Sequence, residues 1–323
     1  MDDQFQKLSE FERKEVEWLW EPLIPRGMMT IIEGDPDVGK SYLAMHIAAE
    51  ISKGGSLPGG ASLKKGRVLY FSQEDDPAYT MRPRIEDMGG KVHRIKVHVG
   101  DSVFDENGLN MLAAYVVDWK PDLIIIDPLV GYVGSNVDFF RANEIRPVLR
   151  ALSDIAEIAK CGLLVIRHLT KGKHDKAMHQ GGGSVDFIAF VRSALRVAVH
   201  PERDDIRVIA HFKHNLSKRG ASQSYELLAQ EPPLRPKVVW RGEVDISIDD
   251  LHGGARKEPS ELDHAIKFLC SELANGKVPS KQIADRADSF GIAKKTLERA
   301  KEEIGIKPKK VGAHRFWSLP ATK

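Results

Sequence analysis

What this 323-residue sequence has little of narrows its class before any motif is read. It has two cysteines, Cys161 and Cys270, far apart and without metal-ligand spacing. A disulfide-stapled scaffold or a cysteine-built zinc site is thereby excluded, and both thiols are expected to be free and buried. No apolar run approaches the roughly 20 residues needed to cross a bilayer, so no membrane association is expected. The N-terminal Met1-Asp2-Asp3-Gln4 is acidic and lacks an apolar signal core, which points to a cytoplasmic location. Net charge is also slight, +2 from 48 Lys and Arg against 46 Asp and Glu, with hydrophobic residues at 42%. That length and balance suit one large α/β domain plus a small one.

The small total conceals a divide. Residues 255–323 hold 15 Lys and Arg against 9 Asp and Glu, or +6, which leaves −4 for the rest. An acidic body with a basic tail suggests a polyanion at the tail.

The most informative stretch is Gly34-Asp35-Pro36-Asp37-Val38-Gly39-Lys40-Ser41, which fits the phosphate-loop pattern G-x-x-x-x-G-K-[ST]. An apolar strand, Met28 to Ile32, precedes it, and Tyr42 to Ala49 reads as a helix. Gly34 and Gly39 permit turns and close approach that a Cβ would block, so backbone N–H groups can converge on a polyphosphate at a helix N-terminus. Lys40 would neutralise the β- and γ-phosphates, Ser41 would hold Mg²⁺, and Tyr42 lies beside the nucleotide. The plainer alternative is a glycine-rich βα turn with no ligand. Asp37 adds a negative charge to the loop and is expected to point outward.

Before the loop, residues 1–17 form a polar tail, and Trp18 and Trp20 are expected to pack beneath the sheet rather than clamp a base. After it, Gly66 to Ser72 reads as a buried strand that ends in Gln73-Glu74-Asp75-Asp76. Carboxylates at the C-terminal end of a parallel strand lie on the ligand side of a doubly wound sheet. Glu74 is therefore the candidate to orient or deprotonate an attacking water, with a solvated loop residue as the alternative. Asp76 is expected to cap the helix Pro77 to Asp87.

A strand from Lys91 to Val99 and a helix from Leu109 to Trp119 follow. Pro121-Asp122-Leu123-Ile124-Ile125-Ile126-Asp127-Pro128 then has the form of a Walker B strand, in which Asp127 accepts a hydrogen bond from Ser41 or from Mg²⁺-bound water. A long helix, Phe139 to Ala159, leads to the strand Cys161 to Arg167, and His168 emerges at the same sheet edge as Glu74 and Asp127. A γ-phosphate-sensing role competes there with a histidine satisfied by a backbone carbonyl. Gly172 to Gly183 reads as a mobile loop, in which Lys171, Lys173 and Lys176 either track a nucleic-acid backbone or are solvated lysines.

Ser184-Val185-Asp186 opens a helix expected to run through Ala194. Strands at Leu195 to Val199 and Ile206 to Phe212 lead to Lys213-His214-Asn215, with late antiparallel strands at Ser224 to Leu228 and Lys237 to Trp240. Gly242 to Pro259 reads as polar, and the domains are set at 18–250, a linker at 251–259, and 260–323. In the tail, helices from Ser260, Ser280 and Ala293 precede two expected wing strands, Gly305 to Lys307 and Arg315 to Leu319, an order that fits a winged helix. Lys294, Lys295, Arg299 and Lys301 would face DNA, with Lys309 and Lys310 on the wing; a protein-docking module is the alternative.

Taken together, these segments resemble the RecA-like P-loop ATPases of the plasmid RepA hexameric helicase type, over about Trp18 to Leu251. The matching pieces are Gly34 to Ser41, Glu74-Asp75, Asp127-Pro128, His168-Leu169-Thr170-Lys171, Gly183 to Asp186 leading to Arg192, and Lys213-His214-Asn215. The resemblance implies an α/β RecA-like core with a mostly parallel sheet, ATP and Mg²⁺ as cofactors, and a homo-oligomeric, hexameric ring. It implies Glu74 as catalytic carboxylate, His168 as the link from γ-phosphate to the DNA-facing loop, and Lys213 as a cation reaching a neighbour's nucleotide. Arg192 stands at the subunit boundary, and Gln180 replaces an arginine common in relatives. The implied function is an ATP-driven motor on single-stranded DNA, acting in replication or repair of a mobile element. An ATP-gated DNA loader or regulator and a small-molecule P-loop kinase are the competing readings.

Overall fold

Apolar runs closed by glycine or an acid become the parallel strands of this chain, and the alternation within each run decides which layer of helices it meets. The computed structural model describes residues 5–319 except 61, 101–102, 135–136, 140, 170–185, 254–260, 274–275, 307 and 312–313. The expected loop at 172–183, with Lys171, Lys173 and Lys176, therefore lies outside the described residues. Two compact units emerge, residues 1–254 and 255–323.

The first unit opens with a short hairpin, β1 (Trp18–Trp20) and β2 (Ile24–Pro25). Trp20 is buried, donates from its indole Nε1 to the Pro58 carbonyl at 2.8 Å, and meets Trp240 edge-on. There follow β3 (Met29–Gly34), α1 (Lys40–Lys53), β4 (Val68–Ser72), α2 (Arg82–Asp87), β5 (Ile95–Val97), α3 (Glu106–Trp119), β6 (Leu123–Asp127), α4 (Ala142–Ala159) and β7 (Gly162–His168). Then come α5 (Asp186–Phe190), β8 (Ser193–His200), β9 (Arg203–His214), β10 (Ser222–Leu228), β11 (Lys237–Val244) and α6 (Ile248–Gly253).

Nine strands form one sheet in the order β11-β10-β9-β8-β3-β7-β6-β4-β5. Pairing is parallel from β8 through β5 and antiparallel from β8 to β11. This is the α/β class with a mostly parallel sheet that the sequence implies. Ile32, Tyr70, Ile125 and Leu164 pack on the α1 side, whereas Ile31, Leu69, Ile124 and Leu163 face the side of α3 and α4. Each fully buried aliphatic side chain of this kind contributes about 2 kcal/mol of transfer free energy. The phosphate-loop strand β3 and the Asp127 strand β6 both flank β7, so the loop, Asp127 and His168 leave neighbouring strands.

The structure corrects several boundaries. The helix expected through Ala194 ends at Phe190, and Ser193 already opens β8, because Ser193 to Arg196 are buried and paired alongside β3. The strand expected over Lys91 to Val99 shrinks to Ile95–Val97, since Val92–Arg94 form a 3₁₀ turn at this sheet edge. Residues 242–253 are no polar linker. Strand β11 runs to Val244, and Leu251 of α6 is buried against Val208 and Ala210.

The second unit comprises α7 (Glu261–Glu272), β12 (Val278–Pro279), α8 (Ser280–Ser289), α9 (Lys294–Ile304), β13 (Lys309–Val311) and β14 (His314–Trp317). Its antiparallel sheet has the order β12-β14-β13, and Leu269, Ile283, Leu297 and Trp317 share one core. Gly305, at φ 77, ends α9 instead of opening a strand, which moves the first hairpin strand to Lys309 and Lys310. Cys270 is exposed on α7, contrary to expectation, while Cys161 is buried. Among the described residues no helix is long and apolar enough to cross a membrane.

Candidate functional site

The loop after β3 is shaped by backbone constraints that its residue types satisfy. A side chain on Gly34 would stand 2.2 Å from the Val197 carbonyl oxygen, so the last residue of β3 has no room for a Cβ. Asp37 (φ 60) and Gly39 (φ 97) adopt the left-handed conformation, which aspartate tolerates and glycine adopts freely. Asp35, Pro36 and Asp37 are exposed and Val38 is buried. The turn delivers Lys40 as the first residue of α1, whose N-terminus carries no side-chain cap. That leaves a helix start of the kind that binds anions.

Lys40 is buried and donates from Nζ to the Asp35 carbonyl oxygen at 2.6 Å. Burial lowers its pKa, opposed by the charges of Asp127, Asp35, Glu74 and Asp37. The four charges that oppose the burial are all acidic.

Asp127 ends β6 at 2% exposure. Tyr70 Oη donates to its Oδ2 at 3.0 Å, while Oδ1 is buried with no hydrogen-bond partner among the described residues. Burial raises its pKa to about 6, opposed by the neighbouring Ser41 and Tyr70 hydroxyls; the charges of Glu74 and Asp75 push it up further. A buried carboxylate with one unpartnered oxygen beside a serine hydroxyl fits a divalent cation. Among the described residues no cluster of three His, Cys, Asp or Glu side chains could hold a metal. A hydroxyl and one carboxylate oxygen are the kind of donor set that suits Mg²⁺, which commonly takes one or two protein oxygens and completes its shell with phosphate and water.

The acidic run after β4 divides its labour. Glu74, with its side chain 56% exposed, lies 3.4 Å from His168 Nε2 through Oε1. Asp75 pairs with Arg84 at 2.9 Å, and Asp76 accepts from the N–H groups of Ala78 at 2.8 Å and Tyr79 at 2.7 Å. His168 is brought level with Gly34 by the β3–β7 ladder, and the Leu169 N–H donates to the Gly34 carbonyl at 3.3 Å. The structure thus gathers the loop, Lys40, Ser41, Asp127, Glu74 and His168 at one end of the parallel strands. Tyr42 is the third residue of α1, with Arg84 4.8 Å above its ring.

Lys213 and Arg192 are elsewhere. Lys213 pairs across the sheet with Ala194, which is level with Ile31, so it sits three residues, or roughly 10 Å, short of Gly34 along the strand direction. Its Nζ donates to the carbonyls of Ile188 and of Ala189, the latter at 3.0 Å. Its pKa is lowered by burial and by the neighbouring Arg192 charge. Arg192 lines a cavity of about 430 Å³ at that opposite rim, together with Arg146, Arg150, Asp154 and Glu157.

In the second unit Lys294, Lys295 and Arg299 are exposed along α9. Lys301 does not join them: it pairs with Glu298 and lies 5.0 Å over the Trp317 ring, held by its own unit.

Sequence reasoning missed one buried cluster. Glu33, at 0% exposure, receives Arg167 Nε at 2.9 Å on Oε2 and Arg196 Nε at 3.1 Å on Oε1. The signal was available, since three charged residues interrupt otherwise apolar central strands.

Comparison with known proteins bears on the family of the chain. The family model described as AAA domain (AAA_25) matches residues 1–174, more than half of the chain. The chain is similar to the DNA repair protein RadA of Listeria monocytogenes, 26% identical over 149 residues that cover 45% of this chain and 28% of that protein. It is also similar to RadA of Bacillus subtilis, 23% identical over 150 residues, with 46% and 29% covered. The chain thus spans less than a third of the length of these relatives. A crystal structure of the RadB recombinase aligns with a TM-score of 0.47 and 15% identity, covering 62% of this chain and 88% of that one. With its phosphate loop, buried Asp127 and matched first half, the chain belongs to the AAA domain family of P-loop ATPases.

Proposed function

We propose that this protein hydrolyses Mg-ATP in a ring of like subunits and couples the hydrolysis to movement on single-stranded DNA. The charge of the site is the observation that carries this reading. Lys40 is surrounded by the charges of Asp35, Asp37, Glu74 and Asp127. A triphosphate, itself carrying about four negative charges, needs a divalent cation and further positive charge to settle there. Ser41 and Asp127 would hold Mg²⁺, which supplies charge neutralisation between the phosphates.

The additional cations sit on the wrong rim to serve their own loop. Lys213 and Arg192 would meet the nucleotide of a copy stacked head to tail, a heterologous contact that closes into a ring. The resemblance to RepA-type helicases implies six members. Glu74, exposed and beside His168, would orient the attacking water. His168, on the strand that leads toward residue 170, would link the γ-phosphate to the stretch holding Lys171 and Lys173.

For DNA, the named relatives are repair proteins, and α9 exposes Lys294, Lys295 and Arg299. We read the second unit as a winged helix, with α9 in the groove and Lys309 and Lys310 of β13 on the wing. The domain division is then an ATPase core, a short linker and this DNA-binding module.

The test is ATPase rate and particle mass with and without single-stranded DNA, in wild type and in Glu74→Gln. Glu74→Gln is expected to keep Mg-ATP binding while turnover falls by at least about 10²-fold. Unchanged turnover would remove Glu74 from the mechanism. DNA-stimulated hydrolysis without unwinding of a fork would favour an ATP-gated loader or regulator. Hydrolysis indifferent to every nucleic acid would favour a small-molecule kinase.

A further inference from the structure

Directly before the phosphate loop lies the buried cluster of Arg167, Glu33 and Arg196. Glu33 stands on β3 one residue before Gly34, Arg167 on β7 one residue before His168, and Arg196 on β8. The ladders place Glu33 opposite both arginines. Each carboxylate oxygen is taken by a different arginine, at 2.5 Å to each Nη2, and both guanidinium side chains are 3% exposed.

Cohesion alone does not explain such a cluster. Burying charges is costly, and apolar residues of similar volume generally hold a core as well or better. The strands are already joined by their ladders and by apolar layers on both faces. What the charges add is direction. Each fork fixes its partner in distance and angle, whereas aliphatic packing permits small slides. The fixed level is the one from which Gly34 and His168 leave the sheet.

The contacts also extend outward. Arg167 lies 5.5 Å from the ring of Phe187, which adjoins Ile188, and Arg196 lies 5.8 Å from the ring of Phe212, which adjoins Lys213. Ile188 supplies a carbonyl that receives Lys213.

We propose that Arg167, Glu33 and Arg196 are positioning residues for hydrolysis, a reading that rests on the ATPase function argued above. They set the height of the phosphate loop relative to His168, and through His168 the place of Glu74. They stand one residue behind the loop and are buried, so on this proposal binding and turnover should separate when they are replaced.

The experiment compares wild type with the triple apolar variant Glu33→Met, Arg167→Met, Arg196→Leu, measuring melting temperature, Mg-ATP dissociation constant and kcat. The expected result is a melting temperature within a few degrees of wild type, Mg-ATP affinity within about threefold, and kcat lower by about 10- to 100-fold, as for supporting residues around other sites. A folded triple variant with wild-type kcat overturns the proposal, as does a parallel loss of affinity and kcat. If the triple variant fails to fold, Arg196→Lys carries the test, because it keeps the charge and loses the fork. At unchanged melting temperature it should lower kcat about 10-fold, and a wild-type kcat overturns the proposal equally. Wild-type protein inert toward Mg-ATP would sink the ATPase reading itself, a result distinct from an active wild type with an active triple variant.

Discussion

The two rims of the nine-stranded sheet are opposites. Where the parallel strands end, Lys40 answers to Asp35, Asp37, Glu74 and Asp127, while Arg167 and Arg196 just behind the loop bond to Glu33. Where they begin, Arg146, Arg150 and Arg192 line a cavity together with Asp154 and Glu157, beside the Ala189 carbonyl that receives Lys213. One rim has the phosphate loop, and the other has a group of arginines without a loop. On the proposed function each would be half of a phosphate-transfer site, and activity would belong to the contact between copies.

The comparison breaks most visibly at Lys40. Lys40→Ala is expected to lower turnover by about 10³-fold and to weaken Mg-ATP binding, read by steady-state ATPase and equilibrium titration. Lys213→Ala should lower turnover by about 10²-fold while leaving Mg-ATP affinity of the dilute chain nearly unchanged. Equal loss of affinity in both variants would mean that the rims do not divide their work.

Asp127→Asn sharpens the contrast in the opposite sense. The folded pKa of about 6 lies above the ordinary 3.8, so the native state favours the protonated form. The resulting cost is absent below about pH 4, grows through the window, and is complete above about pH 6. Without nucleotide, Asp127→Asn should therefore be more stable than wild type by up to about 3 kcal/mol at pH 7.5, with no difference at pH 4, measured by urea unfolding. Mg-ATP binding by wild type should weaken as pH falls through 6, because the metal requires the ionised carboxylate. The smallest effect is expected in the second unit. Replacing Lys294, Lys295 and Arg299 together by Ala should reduce the salt dependence of DNA binding by a log–log slope of up to about 3, with basal ATPase unchanged.

Local chemistry made the phosphate rim legible from sequence. Gly34 and Gly39 answer to backbone angles and clearance, whereas the apolar run closed by Asp127 is weak evidence alone and gains its force from standing about 90 residues after the loop in an alternating chain. The separate tasks of Glu74, Asp75 and Asp76 were only partly visible, since the Asp75 to Arg84 pair depends on how α2 folds back. The Glu33 cluster was visible as three misplaced charges, but its pairing follows from strand order, which residue types do not encode. Boundaries failed where tertiary pairing outweighed local pattern. Ser193-Ala194 carries no strand signal until it lies beside β3, and α6 has a single well-buried leucine, Leu251, to mark it.

Mixing two inactive variants tests the central claim most directly. Chains with Lys40→Ala lack the loop cation and chains with Lys213→Ala lack the opposite-rim cation, so in a randomly mixed ring about one contact in four pairs two intact halves. ATPase measured against mixing ratio should rise from near zero at both ends to a maximum near one quarter of the wild-type rate at equal proportions. A mixture that never exceeds the averaged residual rates of the two variants would contradict a site shared between copies.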